Sequence, residues 1–300
     1  MDFNIENPDW QMILDQVAAI RDQQNYTTQN IAFLKEQFQS SDERIRAAAA
    51  LAAEGCIFEQ GVLSVVMGLS QYDDSDAVRY AAIRTLGTVI REGIEQGFEE
   101  ASGANNYLDD AEEWEEYQTG SLTDEYVGVK HALLNLLEYD DDPVIQEPAM
   151  DALSWLGFQE TIRYKVQDLF ESGILGLQKA SVRAMGKFPE YWMDELSRII
   201  SSETESALLL EAIRSVMNTH SSELASQLEA LLNHENDDIL IATINSLAGI
   251  NQTVDLPQVL QAFSLHENTE VQLAAKRAID LVSRKNFERY MQDDLGMELE

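Results

Sequence analysis

The chain has 300 residues, of which 45% are hydrophobic, so it is long enough to bury a core and too apolar to be disordered by composition. Its 54 Asp and Glu against 20 Lys and Arg give a formal net charge of −34; that field repels nucleic-acid phosphate and anionic lipid and attracts basic surfaces, which argues against direct nucleic-acid or membrane binding. With only 5 Pro and 15 Gly, the turns of a sandwich or barrel are missing, and a single cysteine, Cys56, excludes an intramolecular disulfide and a cysteine-based zinc site. Met1-Asp2-Phe3-Asn4-Ile5-Glu6 shows neither the basic nor the apolar region of a secretory signal, and no run reaches ~18 apolar residues, so a cytoplasmic setting is expected.

In chain order, residues 1–27 read as an N-terminal capping helix, with Trp10, Ile13, Val17 and Ile20 on one face that would cover the open edge of the first repeat. From residue 28 to residue 285 the chain repeats. The position of Val78 is filled by Ile45, Ile145, Leu177, Leu208, Ile239 and Val271, at successive offsets of 33, 67, 32, 31, 31 and 32 residues. The position of Ala82 is filled by Ala49, Ala149, Ser181, Ala212, Thr243 and Ala275, and that of Leu86 by Ala53, Leu153, Met185, Val216, Leu247 and Ile279. Apolar residues at i, i+4 and i+8 with a small one between them make one helical stripe, and the small residue lets a neighbouring helix approach.

A second amphipathic segment precedes each such helix, as in Ile31-Ala32-Phe33-Leu34, Val62-Leu63-Ser64-Val65-Val66-Met67, Leu133-Leu134-Asn135-Leu136-Leu137 and Leu228-Glu229-Ala230-Leu231-Leu232. Each unit is therefore a helix, a polar turn and a helix, and stacking is needed to bury both stripes. The fold expected is all-α: an α-α superhelix of about seven helical hairpins, with second helices around 42–54, 75–90, 142–156, 174–187, 205–218, 237–249 and 269–284. Ile45, Val78, Ala82, Leu86, Ile145, Ala149, Leu153, Leu247, Val271, Ala275 and Ile279 are the expected repeat core. Asp142-Pro143 reads as an N-cap with Pro in first position, Ser40 with Glu43 and Ser202 with Glu205 fit the capping-box spacing, and Asp73, Asp74 and Asp76 crowd another helix start. Residues 286–300 read as a frayed acidic tail.

Ile45-Arg46, Val78-Arg79 with Ala81-Ala82, and Leu86-Gly87 resemble the HEAT repeat, in particular the HEAT-like repeats of the phycobilisome-lyase type. Later units depart from the pattern after the first aliphatic, where Arg46 and Arg79 give way to Gln or Leu. The resemblance implies a HEAT-like solenoid whose second helices line the inner face. A bilin-lyase role would further imply chromophore handling, though no residue pattern marks a pigment pocket. The deoxyhypusine hydroxylases, also HEAT-like, bind iron through four His-Glu pairs; here there are two, His234-Glu235 and His266-Glu267, each in a polar turn.

The long offset marks an insertion at about 92–125, and from Glu92 to Val129 there is no Lys or Arg. Phe98, Tyr107, Leu108, Trp114, Tyr117 and Tyr126 sit among its carboxylates. Two readings stand open: a solvated loop or degenerate repeat, or a docking element. In the second, Asp109, Asp110, Glu112, Glu113, Trp114, Glu115, Glu116 and Tyr117 would meet the Lys and Arg of a partner.

Catalytic signals are absent: no phosphate loop, no nucleophile elbow, and no Gly or distal Glu to turn Asp73–Asp76 or Asp140–Asp142 into a calcium loop. No catalytic residue, metal or cofactor is expected, and Cys56 reads as a buried thiol. The function expected is a protein-protein interaction scaffold or adaptor binding a basic protein partner. The alternatives are an inhibitor or immunity-type protein masking a nucleic-acid-binding surface, and, of another class, a bilin-lyase-like or metal-dependent enzyme subunit.

Overall fold

Stripes of four-residue period form helices, and the computed structural model shows no strand among the residues it describes, 8–98, 121–202, 205–217, 219, 221–250 and 256–295. The chain divides into two units, Met1–Ala180 and Ser181–Glu300. Seven consecutive helix pairs are described, and the six that lie wholly within one unit pack as hairpins in sequence order. No described helix is long and apolar enough to cross a membrane.

Unit 1 opens with α1 (Pro8–Asp22), followed by the hairpins α2 (Thr28–Gln37) with α3 (Glu43–Ala52), α4 (Val62–Tyr72) with α5 (Asp76–Glu95), and α6 (Ser121–Tyr139) with α7 (Pro143–Leu153). The fourth hairpin, α8 (Glu160–Glu171) with α9 (Leu175–Met185), begins in this unit. The second helices α3, α5 and α7 pack in a row, and α1 lies on α3. Val17 and Ile20 of α1 are buried there, and the Arg44 guanidinium sits 4.2 Å from the centre of the Trp10 ring.

Close approach is what the small stripe residues provide. Ala49, Ala82 and Ala149 are fully buried, as are Val78, Leu86, Ile145 and Leu153, with Ile45 nearly so. Between α3 and α5 the buried Thr85 hydroxyl donates to the Ala50 carbonyl at 2.8 Å. The flanks of the segment expected to be an insertion are helical: α5 continues to Glu95 and α6 starts at Ser121. Tyr126, an aromatic of the insertion in sequence, is a core residue, fully buried and edge-on to Phe98 at 6.2 Å between ring centres.

Unit 2 holds the rest of α9, then α10 (Met193–Ser202) with α11 (Ser206–Ser215), α12 (Ser222–Leu231) with α13 (Asp237–Ile250), and α14 (Leu256–Gln261) with α15 (Thr269–Leu295). Here α11, α13 and α15 form the row, and hydroxyl bonds recur: Ser215 Oγ donates to Val182 O at 2.9 Å and Ser246 Oγ to Ile213 O at 2.7 Å. Leu247, Val271 and Ala275 are buried, whereas Ile279 is half-buried because Ala278 and Val282 take the inward positions of α15. That helix continues to Leu295, well into the segment read from sequence as a tail.

Two capping expectations are corrected. The N-cap of α3 is Asp42, whose Oδ1 accepts from Arg44 N at 2.9 Å, while the Ser40 hydroxyl accepts from Asp42 N. Ser202 lies in the last turn of α10, its hydroxyl bonded back to Arg198 O at 2.6 Å, and the N-cap of α11 is Glu205. The Asp142-Pro143 start of α7 is as expected, with Asp142 Oδ1 accepting from Val144 N at 2.9 Å.

Gly93 lets α5 accommodate Tyr126: a Cβ there would lie 2.3 Å from the ring. Gly93→Ala should cost about 1–3 kcal/mol of stability, the usual penalty for overpacking, read as a lower urea midpoint with helix content retained. Gly68→Ala, on an open helix surface with nothing within 4 Å, is the matched control and should not destabilise.

Candidate interaction surfaces

The polar turns inside six of the hairpins are built by one device. The side chain that opens the turn accepts the backbone N–H two residues on. Ser40 does so for Asp42 at 3.2 Å, Asp73 for Ser75 at 2.9 Å, Asp140 for Asp142 at 3.0 Å and Ser172 for Ile174 at 3.2 Å. In unit 2 the imidazole Nδ1 of His234 accepts from Asn236 at 3.0 Å and that of His266 from Asn268 at 3.1 Å. The two His-Glu pairs thus stand in equivalent turns. Among the described residues no three His, Cys, Asp or Glu side chains group to hold a metal.

In unit 1 arginines fasten the first turn to the second and the second to the third. Arg46 donates from Nε and Nη2 to both carboxylate oxygens of Asp73, at 2.8 and 2.7 Å, and from Nη1 to Ser40 O of its own turn at 2.9 Å. Arg79 pairs likewise with Asp140. Its two hydrogen bonds from Arg46 hold Asp73 below the ordinary carboxylate value of 3.8. Asp42 is held at about 2, chiefly by the Arg44 side chain. Where Arg gives way to Gln, the link shortens to the hairpin's own turn, as in Gln146 Nε2 to Leu137 O at 3.3 Å and Gln272 Nε2 to His266 O at 2.6 Å.

These links place the turns of the first three hairpins side by side as one acidic edge. Asp73 and Asp140 are consumed by arginine, whereas Glu43, Asp74 and Asp141 are exposed and make no side-chain hydrogen bond or salt bridge among the described residues. Two tyrosines stand at equivalent places on this edge, at the C-terminal ends of α4 and α6. Tyr72 is 81% exposed and Tyr139 75% exposed. Tyr139 and Asp140 also border a cavity of about 290 Å³ with Gln71 and Asn135. Sequence reasoning missed both tyrosines, although their place directly before the Asp pairs, Tyr72-Asp73-Asp74 and Tyr139-Asp140-Asp141, is a repeat signal in itself.

A second surface of unit 1 is formed by the second helices. A trough of about 200 Å³ runs between Leu51, Arg84, Gly87, Pro148 and Trp155. It adjoins a space of about 470 Å³ bordered by Arg21 and Tyr26, and the two share Glu54, Thr88 and Arg91. Thr88 Oγ1 donates to Glu54 Oε1 at 3.1 Å. The docking residues expected in the insertion, Asp109, Asp110, Glu112, Glu113, Trp114, Glu115, Glu116 and Tyr117, lie outside the described residues. Cys56 is buried, and burial pushes its thiol up to about 11, away from nucleophilic use at neutral pH.

No family model and no curated protein matches this chain. Among solved structures, it is similar to an engineered protein at 18% identity, covering 85% of this chain and 97% of that one, with a TM-score of 0.34. It is also similar to human deoxyhypusine hydroxylase in complex with glycerol, at 15% identity, 93% and 100% coverage and a TM-score of 0.36. A third is the archaeal HEAT-like repeats protein from Thermococcus onnurineus NA1, at 16% identity, 94% and 99% coverage and a TM-score of 0.32.

The Arg46–Asp73 pair makes a pH-dependent prediction. Because the folded-state value of Asp73 is depressed, its contribution is complete above the unfolded value of 3.8 and is lost as pH falls below that value. Arg46→Met should cost about 3 kcal/mol at pH 7 by leaving a carboxylate that is only 6% exposed without its cation. Urea titrations of both proteins at falling pH should show the gap narrowing below 3.8.

Proposed function

We propose that the chain is a protein-protein interaction scaffold whose acidic surface binds a basic protein segment, acting by binding and not by catalysis. The observation that carries this reading is the placement of exposed Tyr72 and Tyr139 beside Asp74 and Asp141, which make no side-chain hydrogen bond or salt bridge among the described residues, on the turn edge of unit 1. An exposed tyrosine ring attracts a Lys or Arg side chain by about 0.5–1 kcal/mol, and a neighbouring carboxylate adds a charge-assisted hydrogen bond. The ring face gives such a partner a place to bury the stem of its cationic side chain, which carboxylates alone do not. A HEAT-like repeat fold suits the role, since the turns recur at a fixed interval and present the same pair of groups more than once.

Two anchors in one edge would make binding depend on both. An arginine-rich peptide titrated against the full chain should bind, and more weakly as salt rises from low to physiological. Tyr72→Ser with Tyr139→Ser should weaken it about tenfold, the loss expected if each ring contributes about 0.7 kcal/mol. Deleting residues 103–121 tests the acidic insertion separately: a further loss assigns it to the same interface, and unchanged affinity removes it from the proposal. Binding that is indifferent to the tyrosines and to salt rejects the turn edge as the site.

A further inference from the structure

The arginines of α5 divide sharply by what they touch. Arg79 pairs with Asp140 in the turn, whereas Arg84 and Arg91 have no hydrogen bond or ion pair among the described residues, in a chain with 54 acidic residues and 20 basic ones. Arg21, Arg44 and Arg46 elsewhere in unit 1 are all bonded to carboxylates. Two unpaired guanidiniums here are therefore not a consequence of scarce partners. They lie seven residues apart, on one face of the helix and two turns along it, which is about 10.5 Å at 1.5 Å per residue. Both line the trough of the second-helix face, together with the indole of Trp155 and the ring of Pro148.

The unmet hydrogen-bonding capacity of the trough is mostly of one kind. The trough's own carboxylates are Glu54, which accepts from Thr88, and Asp151, which is engaged within the structure; Glu92 borders only the adjoining space and makes no hydrogen bond or salt bridge among the described residues. Against these stand ten N–H donors of two guanidiniums, each a fork matched to a carboxylate. A small anion would satisfy one fork. A polyproline-II segment satisfies both, because its residues three apart share a face and lie about 9 Å from one another. Such segments also favour aromatic-lined grooves, where proline rings stack on indole, and Trp155 supplies one.

We infer that this trough is a binding site for an extended acidic peptide segment of polyproline-II form, whose two carboxylates, three residues apart, pair with Arg84 and Arg91. The net charge of −34 does not bar it. At physiological salt the field of distant carboxylates decays within about 8 Å, so an occupant meets the trough's own lining, where Arg84 and Arg91 balance Glu54 and Asp151 and the open donor forks belong to the arginines. The site is separate from the basic-segment edge and offers hydrogen-bond donors where that edge offers acceptors, so that one unit would hold two partners or two parts of one.

The test uses the full chain and a fluorescein-labelled peptide, Gly-Pro-Glu-Pro-Pro-Glu-Pro-Gly, at physiological salt. Anisotropy should show saturable binding. Affinity should fall at least tenfold for the peptide with Gln in place of Glu, for one with adjacent glutamates, and for the R84Q/R91Q chain. Both arginines are surface-facing, and an unchanged thermal melt confirms that the variant is folded. The R84K/R91K chain, which keeps charge but loses the fork, should also bind more weakly. Absence of binding, indifference to R84Q/R91Q, or equal affinity for the adjacent-glutamate peptide overturns the inference. Displacement by inorganic phosphate as strong as by unlabelled peptide also overturns it, as the mark of a small-anion site. The arginine-rich peptide that tests the turn edge should bind R84Q/R91Q as it binds the parent chain, so the two readings fail independently.

Discussion

Successive second helices lie close enough for a hydroxyl on one to reach a backbone carbonyl on the last: Thr85 to Ala50, Ser215 to Val182, Ser246 to Ile213. Each bond adds only about 1 kcal/mol net, but the separation it reports is what buries both stripes of every hairpin. That separation demands small side chains at the crossing. Ala49, Ala82, Ala149, Ser181, Ala212 and Ala275 meet the demand and are fully buried. Thr243 meets it less well, its buried hydroxyl left without a partner among the described residues. A larger residue at these places would push the helices apart and expose the aliphatic positions on either side of it.

The spacing of the helices fixes the spacing of the turns, and the turns decide how the acidic charge is used. A carboxylate that opens a turn is consumed twice, by the N–H two residues on and by an arginine of the preceding hairpin, as Asp73 shows. Its neighbour Asp74 makes no hydrogen bond or salt bridge among the described residues and faces solvent, while the exposed Asp76 pairs with Arg79 at 3.8 Å. Part of the acidity is thus architectural and part is surplus. Where serine or histidine replaces aspartate as the turn acceptor, at Ser40, Ser172, His234 and His266, the turn closes without any charge, so a carboxylate at this place is optional for folding.

The repeat was legible because its signal is periodic and apolar: the i, i+4, i+8 stripe survives where the arginine after it does not. The hydroxyl before the third apolar position, Thr85, Ser215 and Ser246, was equally present in the sequence and went unread. A hydroxyl there is compatible with a surface as well as with a crossing, and only the packing separates the two. The cap expectations at Ser40 and Ser202 failed for a related reason. Asp42 stands nearer the helix start than Ser40 and takes the backbone donor, and Ser202 is still inside α10, where its hydroxyl turns back to Arg198 O. Tyr126 misled through its company: Asp124 and Glu125 stand directly before it, but its own place on α6, opposite Gly93, makes it core. Tyr72 and Tyr139 were unread for the opposite reason, since a tyrosine at a helix end carries no sign of its exposure.

In so acidic a chain a single exposed carboxylate says little, because most of the surface offers one. The residues that carry information are those that break the background. Tyr72 and Tyr139 put apolar area where the turns are most charged, and a partner is what would cover it. Arg84 and Arg91 leave cations unpaired amid an excess of anions. Arg79 and Arg84 stand five positions apart on one helix and are chemically identical, yet one is held by Asp140 and the other by nothing among the described residues. What separates them is the rotation of α5, which turns Arg79 toward the carboxylates of the next turn and Arg84 toward the trough. The same helix that stitches the repeat together is therefore the one that presents its unsatisfied charge.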